Sequence, residues 1–205
     1  MRDKFITAIQ EYQADYGVEI EQEDVERLAN FYDIVQGANP LLHLVAPCSP
    51  GAFATRHILE SLTLLRHLPK NAVFADVGTG AGLPAIPCLI VRDDLRAVLI
   101  ESKKKKTDYL ETATLRLGIG IRAVVVNSQF DEVKPPQEIG FIACRALDKF
   151  VEKLPRLFRW SARRTLLLFG GPALEEAIGQ SGRKYEKRLM PLSERRYLFV
   201  VPQDT

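Results

Sequence analysis

From residue 72 onward, short apolar runs alternate with amphipathic stretches, and this alternation limits the folds open to the chain more than any other feature. The apolar runs lie at 72–77, 96–100, 121–126, 139–143 and 165–169. The helical candidates between them lie at 82–91, 103–117 and 147–159. Short apolar runs predict buried strands, and strand–helix alternation predicts a doubly wound, mostly parallel sheet. We therefore expect a Rossmann-like α/β fold that binds its ligand beyond the carboxyl ends of the strands.

The two ends of the chain depart from this alternation. Residues 3–36 and 53–67 carry apolar side chains at three- and four-residue steps, which predicts helices, while the Pro and Gly residues of 37–52 predict a loop. Residues 184–191 and 195–201 predict an antiparallel pair that closes the sheet edge. The expected organisation is a helical N-terminal cap at 1–68 and a Rossmann-like domain at 69–205.

Composition excludes several classes of protein. No run of eighteen apolar residues exists, so no membrane span is predicted, and the first residues lack the apolar core of a signal peptide, so a cytoplasmic location is expected. Cys48, Cys88 and Cys144 have neither CxxC spacing nor nearby histidines, which predicts buried reduced thiols and no metal site. The net charge is only +2, but 145–205 holds 13 basic and 7 acidic side chains. That surplus suits a polyanionic partner or an ordinary basic surface.

The first predicted strand runs into a glycine-rich turn, Asp76-Val77-Gly78-Thr79-Gly80-Ala81-Gly82, and Glu101 ends the next strand. Glycines let the backbone turn sharply and approach a ligand closely. The following helix, with Pro84 in its first turn, would present free N–H groups to that ligand. A carboxylate at Glu101 can accept both ribose hydroxyls of an adenosine. The motif therefore predicts a site for an adenosine-containing cofactor.

The residues alone leave three interpretations of this turn open. Dinucleotide sites have the spacing GxGxxG, whereas this chain has GxGxG with Asp76 two residues before the first glycine. A carboxylate at that position suits a cofactor with an ammonium and a sulfonium better than it suits a pyrophosphate. The pattern favours S-adenosylmethionine (SAM) over a nicotinamide or flavin cofactor and over a purely structural glycine turn.

The residues around the turn resemble the GidB-type methyltransferases, which modify a guanine N7 of small-subunit (16S) ribosomal RNA. The similarity covers roughly 25–200, in the family's order and spacing. It is carried by RHILESL (Arg56–Leu62), DVGTGAGLPAIP (Asp76–Pro87), ESKKKK (Glu101–Lys106), SQFDE (Ser128–Glu132) and CRA (Cys144–Ala146). The RHxLxSL helix and the GLPxIP extension are far more specific than the glycine turn itself.

The resemblance implies a SAM-dependent methyltransferase whose partner is 16S rRNA or the small ribosomal subunit, with no metal and no membrane, and we expect a monomer. With the glycine motif, it gives a set of predicted cofactor contacts: Asp76, Gly78, Gly80, Gly82, Leu83, Glu101, Phe130, Asp131 and Arg145. Glu101 takes the place of the ribose-binding acid. Phe130 and Asp131 match the pair that brackets the adenine. Arg145 matches the arginine at the methyl-transfer site and is the predicted catalytic residue.

The predicted substrate contacts are Arg56, His57, Lys103 and Lys104. Cap–core packing explains Arg56 and His57 equally well, with Arg56 paired to Glu60 one turn on, and a solvated face explains the lysines equally well. The N7 atom of guanine has an in-plane lone pair and no proton to lose. Transfer to it by in-line displacement therefore requires positioning more than a general base.

The chain departs from the family's pattern mainly on the RNA side. His43-Leu44-Val45 stands where the family has Asn-Leu-Thr, Gln129 replaces an arginine, Gly140 replaces an aspartate, and Phe169 replaces the lysine of Leu-Lys-Gly. The cofactor positions are mostly kept. The rival functions are therefore a SAM methyltransferase acting on a different RNA, a protein or a small molecule, a SAM-binding factor without catalysis, and a nicotinamide oxidoreductase.

Overall fold

A seven-stranded sheet forms the middle layer of the protein in the computed structural model, which describes residues 1–203. The strands are β1 (Val73–Val77), β2 (Arg96–Glu101), β3 (Ala123–Asn127), β4 (Phe141–Arg145), β5 (Thr165–Gly170), β6 (Glu186–Leu189) and β7 (Tyr197–Val201). Their order across the sheet is β3-β2-β1-β4-β5-β7-β6. The first five strands pair in parallel, and β7 runs antiparallel to β5 and β6. The predicted sheet and its antiparallel edge pair are confirmed.

The helices of the described residues cover both faces of this sheet. The α-helices are α1 (Arg2–Tyr12), α2 (Gln22–Leu42), α3 (Pro50–Phe53), α4 (Glu60–Leu62), α5 (Ala85–Val91), α6 (Lys104–Arg116), α7 (Phe150–Ser161) and α8 (Pro172–Gln180). A π-helical segment (Ala54–Leu59) joins α3 to α4, and 3-10 turns occupy Gln13–Tyr16, Thr63–His67 and Phe130–Glu132. Helical backbone is therefore continuous from residue 50 to residue 67.

Two apolar cores lie on the opposite faces of the sheet, because successive side chains of a strand point to opposite sides. Phe74 and Leu99 belong to the core beneath the N-terminal helices, α5 and α6. Ala75 and Ile100, their chain neighbours, belong to the core beneath α7 and α8. The first core joins residues of the predicted cap to residues of the sheet in one cluster. The division into a cap at 1–68 and a domain at 69–205 stays a prediction.

Polar contacts as well as the shared core hold the N-terminal helices against the sheet domain. Arg27 Nη1 donates to the carbonyl of Ile90 at 2.7 Å, and Cys88 Sγ donates to the carbonyl of Ser61 at 3.4 Å. The hydroxyl of Tyr16 donates to the carbonyl of Pro191 at 3.1 Å. The continuous helical segment at 50–67 therefore lies beside α5, close to the carboxyl end of β1.

The loop predicted at 37–52 is longer than the observed one, because α2 extends to Leu42 and α3 begins at Pro50. Helix α2 continues through Pro40, and His43 ends it in the left-handed conformation (φ 48°), with its N–H bonded to the Asn39 carbonyl at 3.0 Å. A proline removes one helical hydrogen bond, and here it lies in the last turn, where little of the helix remains to be disturbed. At the other end, the Ser49 hydroxyl accepts from Ala52 N at 3.1 Å and caps α3.

Helix α8 and the exposure of one cysteine differ from the predictions. Pro172 stands in the first turn of α8, and Leu174 and Ile178, one turn apart, are buried against the sheet. Cys88 and Cys144 are buried free thiols as predicted, but Cys48 is exposed because it lies in the loop between α2 and α3. Among residues 1–203, no helix combines the length and the apolar character that a membrane crossing requires.

Candidate functional site

A cavity of about 560 Å³ opens beyond the carboxyl ends of β1, β2 and β4. This is the edge at which doubly wound sheets bind ligands, and the volume lies within the range of small-molecule sites. We call its first side the turn wall, which consists of Gly78, Thr79, Gly80, Ala81, Leu83 and Glu101. We call its second side the arginine wall, which consists of His57, Arg145, Ala146 and Leu147.

The three glycines of the turn serve two different purposes. Gly78 lines the cavity with φ 69°, and a Cβ there would lie 2.6 Å from Leu147 Cδ1, so a side chain would fill the space between the two walls. Gly82 has φ 91° and is buried outside the cavity lining, where a Cβ would lie 2.7 Å from Ile86 Cγ1. Gly78 and Gly80 are therefore placed for ligand contact, whereas Gly82 permits packing of the turn against α5.

The turn is braced from below by Asp76, which is fully buried. Its Oδ2 accepts from Thr79 Oγ1 at 2.7 Å and from Ala85 N at 3.1 Å. Its Oδ1 is buried and has no hydrogen-bond partner among the described residues. Burial raises the pKa of this carboxyl to about 7, against the lowering effect of those two hydrogen bonds. Asp76 is not among the cavity-lining residues, so its predicted contact with a cofactor ammonium stays a prediction.

Helix α5 begins at Ala85, three residues later than predicted, and its first N–H groups do not face the cavity. Pro84 precedes the helix as its N-cap residue, after a cis peptide bond with Leu83. Ala85 N donates to Asp76, and Ile86 N donates to the Gly82 carbonyl at 2.8 Å. The cavity wall is consequently formed by the backbone of the turn and by Leu83, and the helix N-terminus contributes to holding that turn.

Glu101 lies where the sequence places it, at the end of β2 and in the turn wall. Its Oε2 accepts from Gly80 N at 3.2 Å, and its Oε1 accepts from Lys103 N at 2.8 Å. The residue is only 7% exposed. These two bonds orient the carboxylate at the cavity edge and tie the glycine turn to the loop that precedes α6.

Phe130 and Asp131 lie in different surroundings. Phe130 lines the cavity and packs edge-on against Trp160, with ring centroids 5.8 Å apart. The Asp131 carboxylate forms an ion pair with Arg156 and is not among the lining residues. Gln129, one of the positions that depart from the family's pattern, caps the 3-10 turn that carries both residues. Phe130 is thus placed to contact a flat ligand, and the role predicted for Asp131 stays a prediction.

The arginine wall is built around a buried ion cluster that sequence reasoning did not anticipate. Glu60 Oε2 accepts from Arg145 Nη2 at 3.0 Å, and Glu60 Oε1 accepts from Arg196 Nε at 2.7 Å. The Glu60 side chain is 2% exposed and that of Arg145 is 13% exposed. Arg145 Nη2 also donates to the carbonyl of Arg56 at 2.5 Å. The predicted Arg56–Glu60 pair is wrong, because Glu60 points inward to the two other arginines while the Arg56 side chain is exposed.

One buried nitrogen of the Arg145 guanidinium is left for a ligand. Its Nη1 is buried and has no hydrogen-bond partner among the described residues. Its Cζ lies 5.4 Å from the centroid of the Phe169 ring, a distance typical of cation–π contacts. Burial lowers the pKa of this guanidinium, and the nearby Glu60 carboxylate opposes that shift. Phe169 therefore supports Arg145 at the position where the family's pattern has a lysine.

His57 lies in the π-helical segment and completes this wall. Its Nδ1 is buried and has no hydrogen-bond partner among the described residues. Burial, reinforced by the positive charges of Arg145, Arg56 and Arg196, lowers its pKa to about 4. The imidazole is therefore neutral near pH 7 and can donate or accept a hydrogen bond in the cavity.

The structure separates the lysines that the sequence grouped together. Lys103 and Lys106 line the cavity, whereas Lys104 forms an ion pair with Asp108 and points away from it. Lys153, from the first turn of α7, also lines the cavity and was not among the predicted contacts. Its sequence neighbourhood contains no motif, so only the packing of α7 beside β4 reveals it. Within residues 1–203, no three His, Cys, Asp or Glu side chains are grouped as a metal site requires.

Comparison with known proteins adds evidence independent of this geometry. The family model described as rRNA small subunit methyltransferase G (GidB) matches residues 24–186. Proteins named ribosomal RNA small subunit methyltransferase G are similar to this chain. The one from Azoarcus sp. (strain BH72) is 33% identical over 142 residues, covering 68% of this chain and 66% of that protein. The one from Nitrosospira multiformis is 32% identical over 139 residues, covering 68% and 63%. The chain thus spans slightly less than two thirds of the length of these relatives.

Solved structures share the fold at low sequence identity. An RNA methyltransferase from Salinibacter ruber, crystallised with S-adenosyl-L-homocysteine, aligns with a TM-score of 0.57 and 15% identity over 78% of this chain and 96% of that one. The tRNA methyltransferase TrmK from B. subtilis aligns with a TM-score of 0.52 and 15% identity over 70% of this chain and 65% of that one. At such identities the likeness establishes a Rossmann-like methyltransferase fold and no particular activity.

Proposed function

The chain belongs to the rRNA small subunit methyltransferase G (GidB) family, and we propose that it transfers a methyl group from SAM to N7 of a guanine in 16S ribosomal RNA. The cytoplasm is the proposed location. The proposed partner is 16S rRNA or the small ribosomal subunit, and we propose that the protein acts as a monomer. The guanine position is the finer part of the proposal and rests on what is typical of the family.

One observation carries the proposal. In the cavity, the glycine turn faces the arginine wall, and the space between them is open because Gly78 has no Cβ to fill it. Two buried polar atoms of the arginine wall have no hydrogen-bond partner among the described residues. These atoms are Arg145 Nη1 and His57 Nδ1. Buried polar groups are nearly always hydrogen-bonded in native proteins, so a polar ligand between the two walls is the natural partner for both.

The residues present fit a cofactor made of an adenosine and an amino acid. Glu101 presents a carboxylate for the ribose diol, and Phe130 presents a ring face or edge for the adenine. Arg145 offers a guanidinium donor for a carboxylate or for the substrate. When bound, SAM supplies an electrophilic methyl group on its sulfonium. The neutral His57 and the cationic Arg145 would then hold the reacting partners in line and exclude water.

The chemistry requires orientation more than proton transfer. A guanine N7 attacks through a lone pair in the ring plane and loses no proton, so the chain needs no general base at that atom. Holding two reactants in one geometry can by itself supply about 7 kcal/mol or more of the barrier reduction. Arg145 is fixed by Glu60, by the Arg56 carbonyl and by Phe169, which is the rigidity such a role requires.

Transfer of a tritiated methyl group to unmethylated RNA tests this proposal directly. We expect label from SAM on a single guanine when the protein is incubated with unmethylated 16S rRNA or small-subunit particles, and mapping of that nucleotide completes the test. Arg145→Ala should lower turnover by a hundredfold or more while SAM still binds, because the guanidinium acts mainly in the transfer step. Turnover unchanged by Arg145→Ala would remove that assignment.

Calorimetry separates the rival cofactors. SAM or S-adenosylhomocysteine should bind, NAD should not, and Glu101→Ala should weaken the binding by about tenfold or more because the ribose diol loses a charged acceptor. Binding of NAD in place of SAM would favour a nicotinamide oxidoreductase.

A second candidate is a SAM methyltransferase that acts on another RNA, a protein or a small molecule. Phe169 favours it, because an aromatic ring stands against Arg145 where the family's pattern has a second cation. Label appearing on a substrate other than 16S rRNA would support this candidate. Binding of SAM without transfer to any tested substrate would favour a non-catalytic factor.

A further inference from the structure

Three lysines stand at the edge of the cavity without acidic partners. Lys103 and Lys106 come from the start of α6, and Lys153 comes from the first turn of α7. In the part of the chain that the structure describes, no carboxylate lies within ion-pair distance of any of the three. Of the two acidic residues that line the cavity within residues 1–203, Asp148 is exposed and Glu101 is buried. The three lysines therefore give the rim a net positive charge.

Three neighbouring cations outside the cavity have acidic partners. Lys104 pairs with Asp108, Lys149 lies 3.9 Å from Glu152, and Arg156 pairs with Asp131. Lys105, also at the start of α6, lies outside the cavity lining and has no ion pair among the described residues. The two helix starts therefore carry both paired and unpaired cations outside the cavity, but only unpaired lysines inside it.

The position of the three lysines on their helices is also unfavourable in isolation. Lys103 is the N-cap residue of α6, Lys106 lies in the first turn of α6, and Lys153 lies in the first turn of α7. A cation near a helix N-terminus opposes the helix dipole, typically by about 0.3 to 1 kcal/mol. No carboxylate of the described residues offsets this cost, and a bound anion would offset it.

Two helices on either side of β1 supply these charges, because α6 follows β2, α7 follows β4, and β1 lies between β2 and β4 in the sheet. A nucleotide turned out of its strand carries one phosphate on each side. Enzymes that act on a base buried in a duplex extrude it in this way. The carboxylate of a cofactor is a single charge and would need only one cation, whereas three lysines line the cavity.

We propose that Lys103, Lys106 and Lys153 form a phosphate clamp that holds the RNA backbone on both sides of the target guanine. This inference rests on the proposed function and adds to it the residues that grip the substrate. It assigns backbone contact to Lys153, which no motif indicated, and withdraws it from Lys104. Such contacts confer affinity and register without reading sequence.

The test is the salt dependence of RNA binding, measured by fluorescence anisotropy with a labelled 16S rRNA transcript and saturating S-adenosylhomocysteine. For single strands each phosphate contact contributes about 0.7 to the slope of log affinity against log salt. The variant Lys103→Gln/Lys106→Gln/Lys153→Gln should therefore lose about 2 from the magnitude of that slope. Its affinity for S-adenosylhomocysteine, measured by calorimetry, should change by less than threefold.

A matched control is Lys4→Gln/Lys70→Gln/Lys184→Gln, which removes the same charge from exposed lysines outside the cavity. Its slope should stay within about 0.5 of the wild-type value, and the arginine triple variant at the three clamp positions should retain the wild-type slope. If the glutamine triple variant does not fold, Lys153→Gln alone should lose about 0.7.

Three results would overturn the clamp. The glutamine variant could keep the wild-type slope, it could lose no more slope than the matched control, or it could lose cofactor affinity with the slope intact. The last result would assign these lysines to the cofactor. Failure of the wild-type protein to bind S-adenosylhomocysteine is a separate outcome, and it would refute the proposed function rather than the clamp.

Discussion

The turn wall and the arginine wall enclose one cavity but are built in opposite ways. The turn wall is held by Glu101 and by Asp76 beneath it, which bond to backbone N–H groups and a hydroxyl within 2 to 21 positions along the chain. In the arginine wall, Glu60 binds Arg145 and Arg196, which lie 85 and 136 positions away. The turn wall is thus specified by local contacts, while the arginine wall exists only where three distant segments meet.

This difference explains which wall still has hydrogen-bonding groups available for a ligand. The glycine turn presents backbone and a carboxylate already oriented by Gly80 N and Lys103 N. The arginine wall retains two buried atoms without partners, Arg145 Nη1 and His57 Nδ1. We infer that the turn wall determines the shape of the cavity, whereas the arginine wall provides the polar atoms that can still form hydrogen bonds with a ligand. Four changes, taken from the largest expected effect to the smallest, test this division.

The largest effect is expected from Glu60→Ala, because it leaves two arginines facing each other in a largely buried site. Removing one partner of a buried ion pair typically costs about 3 to 5 kcal/mol, and urea unfolding should show a loss of this order. The control is Asp33→Ala, which breaks an ion pair with Arg2 in which the Asp33 side chain is 51% exposed. That change should cost less than about 1 kcal/mol. Equal losses in the two variants would mean that Glu60 does not hold the arginine wall together.

Gly82→Ala tests the turn wall and should cost about 3 kcal/mol in the free energy of unfolding. The new Cβ would be forced into the left-handed region and against Ile86, which combines backbone strain with overpacking. Gly37→Ala is the matched control, since a Cβ there meets nothing within 4 Å and the residue lies inside α2. Alanine at that helical position should stabilise the protein by roughly 0.5 to 1 kcal/mol. Changes of the same sign in both variants would contradict the role assigned to Gly82.

The pH dependence of stability has opposite signs for His57, in the arginine wall, and Asp76, beneath the turn wall. The folded-state pKa of His57 is about 4, below the value near 6.5 of an unfolded chain, so the unfolded state binds a proton first as the pH falls. The stability associated with neutral His57 is complete above pH 6.5 and is lost toward pH 4. Asp76 acts oppositely, because its folded-state pKa is raised to about 7 and its contribution is lost as the pH rises through 7.

The variant His57→Gln isolates the histidine contribution. Its stability relative to wild type should improve by about 2 kcal/mol between pH 6.5 and pH 4.5, because the wild-type protein alone suffers the proton uptake of the unfolded histidine. Urea unfolding at a series of pH values measures this gap, and His43→Gln, at an exposed position, serves as the control. A gap that does not vary with pH in His57→Gln would show that the imidazole is not held neutral by burial.

The smallest effect concerns the ring beneath Arg145. A double-mutant cycle of Phe169→Leu with Arg145→Met should give a coupling energy of about 0.5 to 1 kcal/mol, as expected for a cation–π contact. The same cycle with Phe158→Leu should give a coupling near zero, because Phe158 packs under Arg183 instead. A coupling of zero at Phe169 would leave Glu60 and the Arg56 carbonyl as the supports of Arg145.

Most of the fold could be predicted because its signals are periodic and local. The parallel strands, the antiparallel edge pair and the helices α5 to α7 follow from apolar runs and helical spacing. The failures have identifiable causes. Pro40 lies in a last helical turn, where a breaker signal carries little weight. Helix α8 is short, and only Leu174 and Ile178 mark its buried face. Cys48 is exposed because the loop around it lies on the surface.

The site residues also fall into those that a local sequence pattern predicts and those that only the folded structure identifies. A glycine pattern after a strand and an acid at the end of the next strand indicate Gly78, Gly80 and Glu101, since few backbone geometries need those residues at that spacing. No pattern pairs Glu60 with Arg196, and none distinguishes Lys106 and Lys153 from their paired neighbours. Those assignments depend on which helix face meets which strand end.

The amino-acid order of this chain is sufficient to predict the sheet, the turn and the family, because each is marked by residue patterns within short stretches of the chain. The buried Glu60 cluster, the neutral state of His57 and the partition of lysines between cavity and solvent required the folded molecule. Burial and ion pairing depend on distances between segments that come together only when the chain packs. These distances determine the charge state of a buried side chain and the ion-pair partner of a charged one.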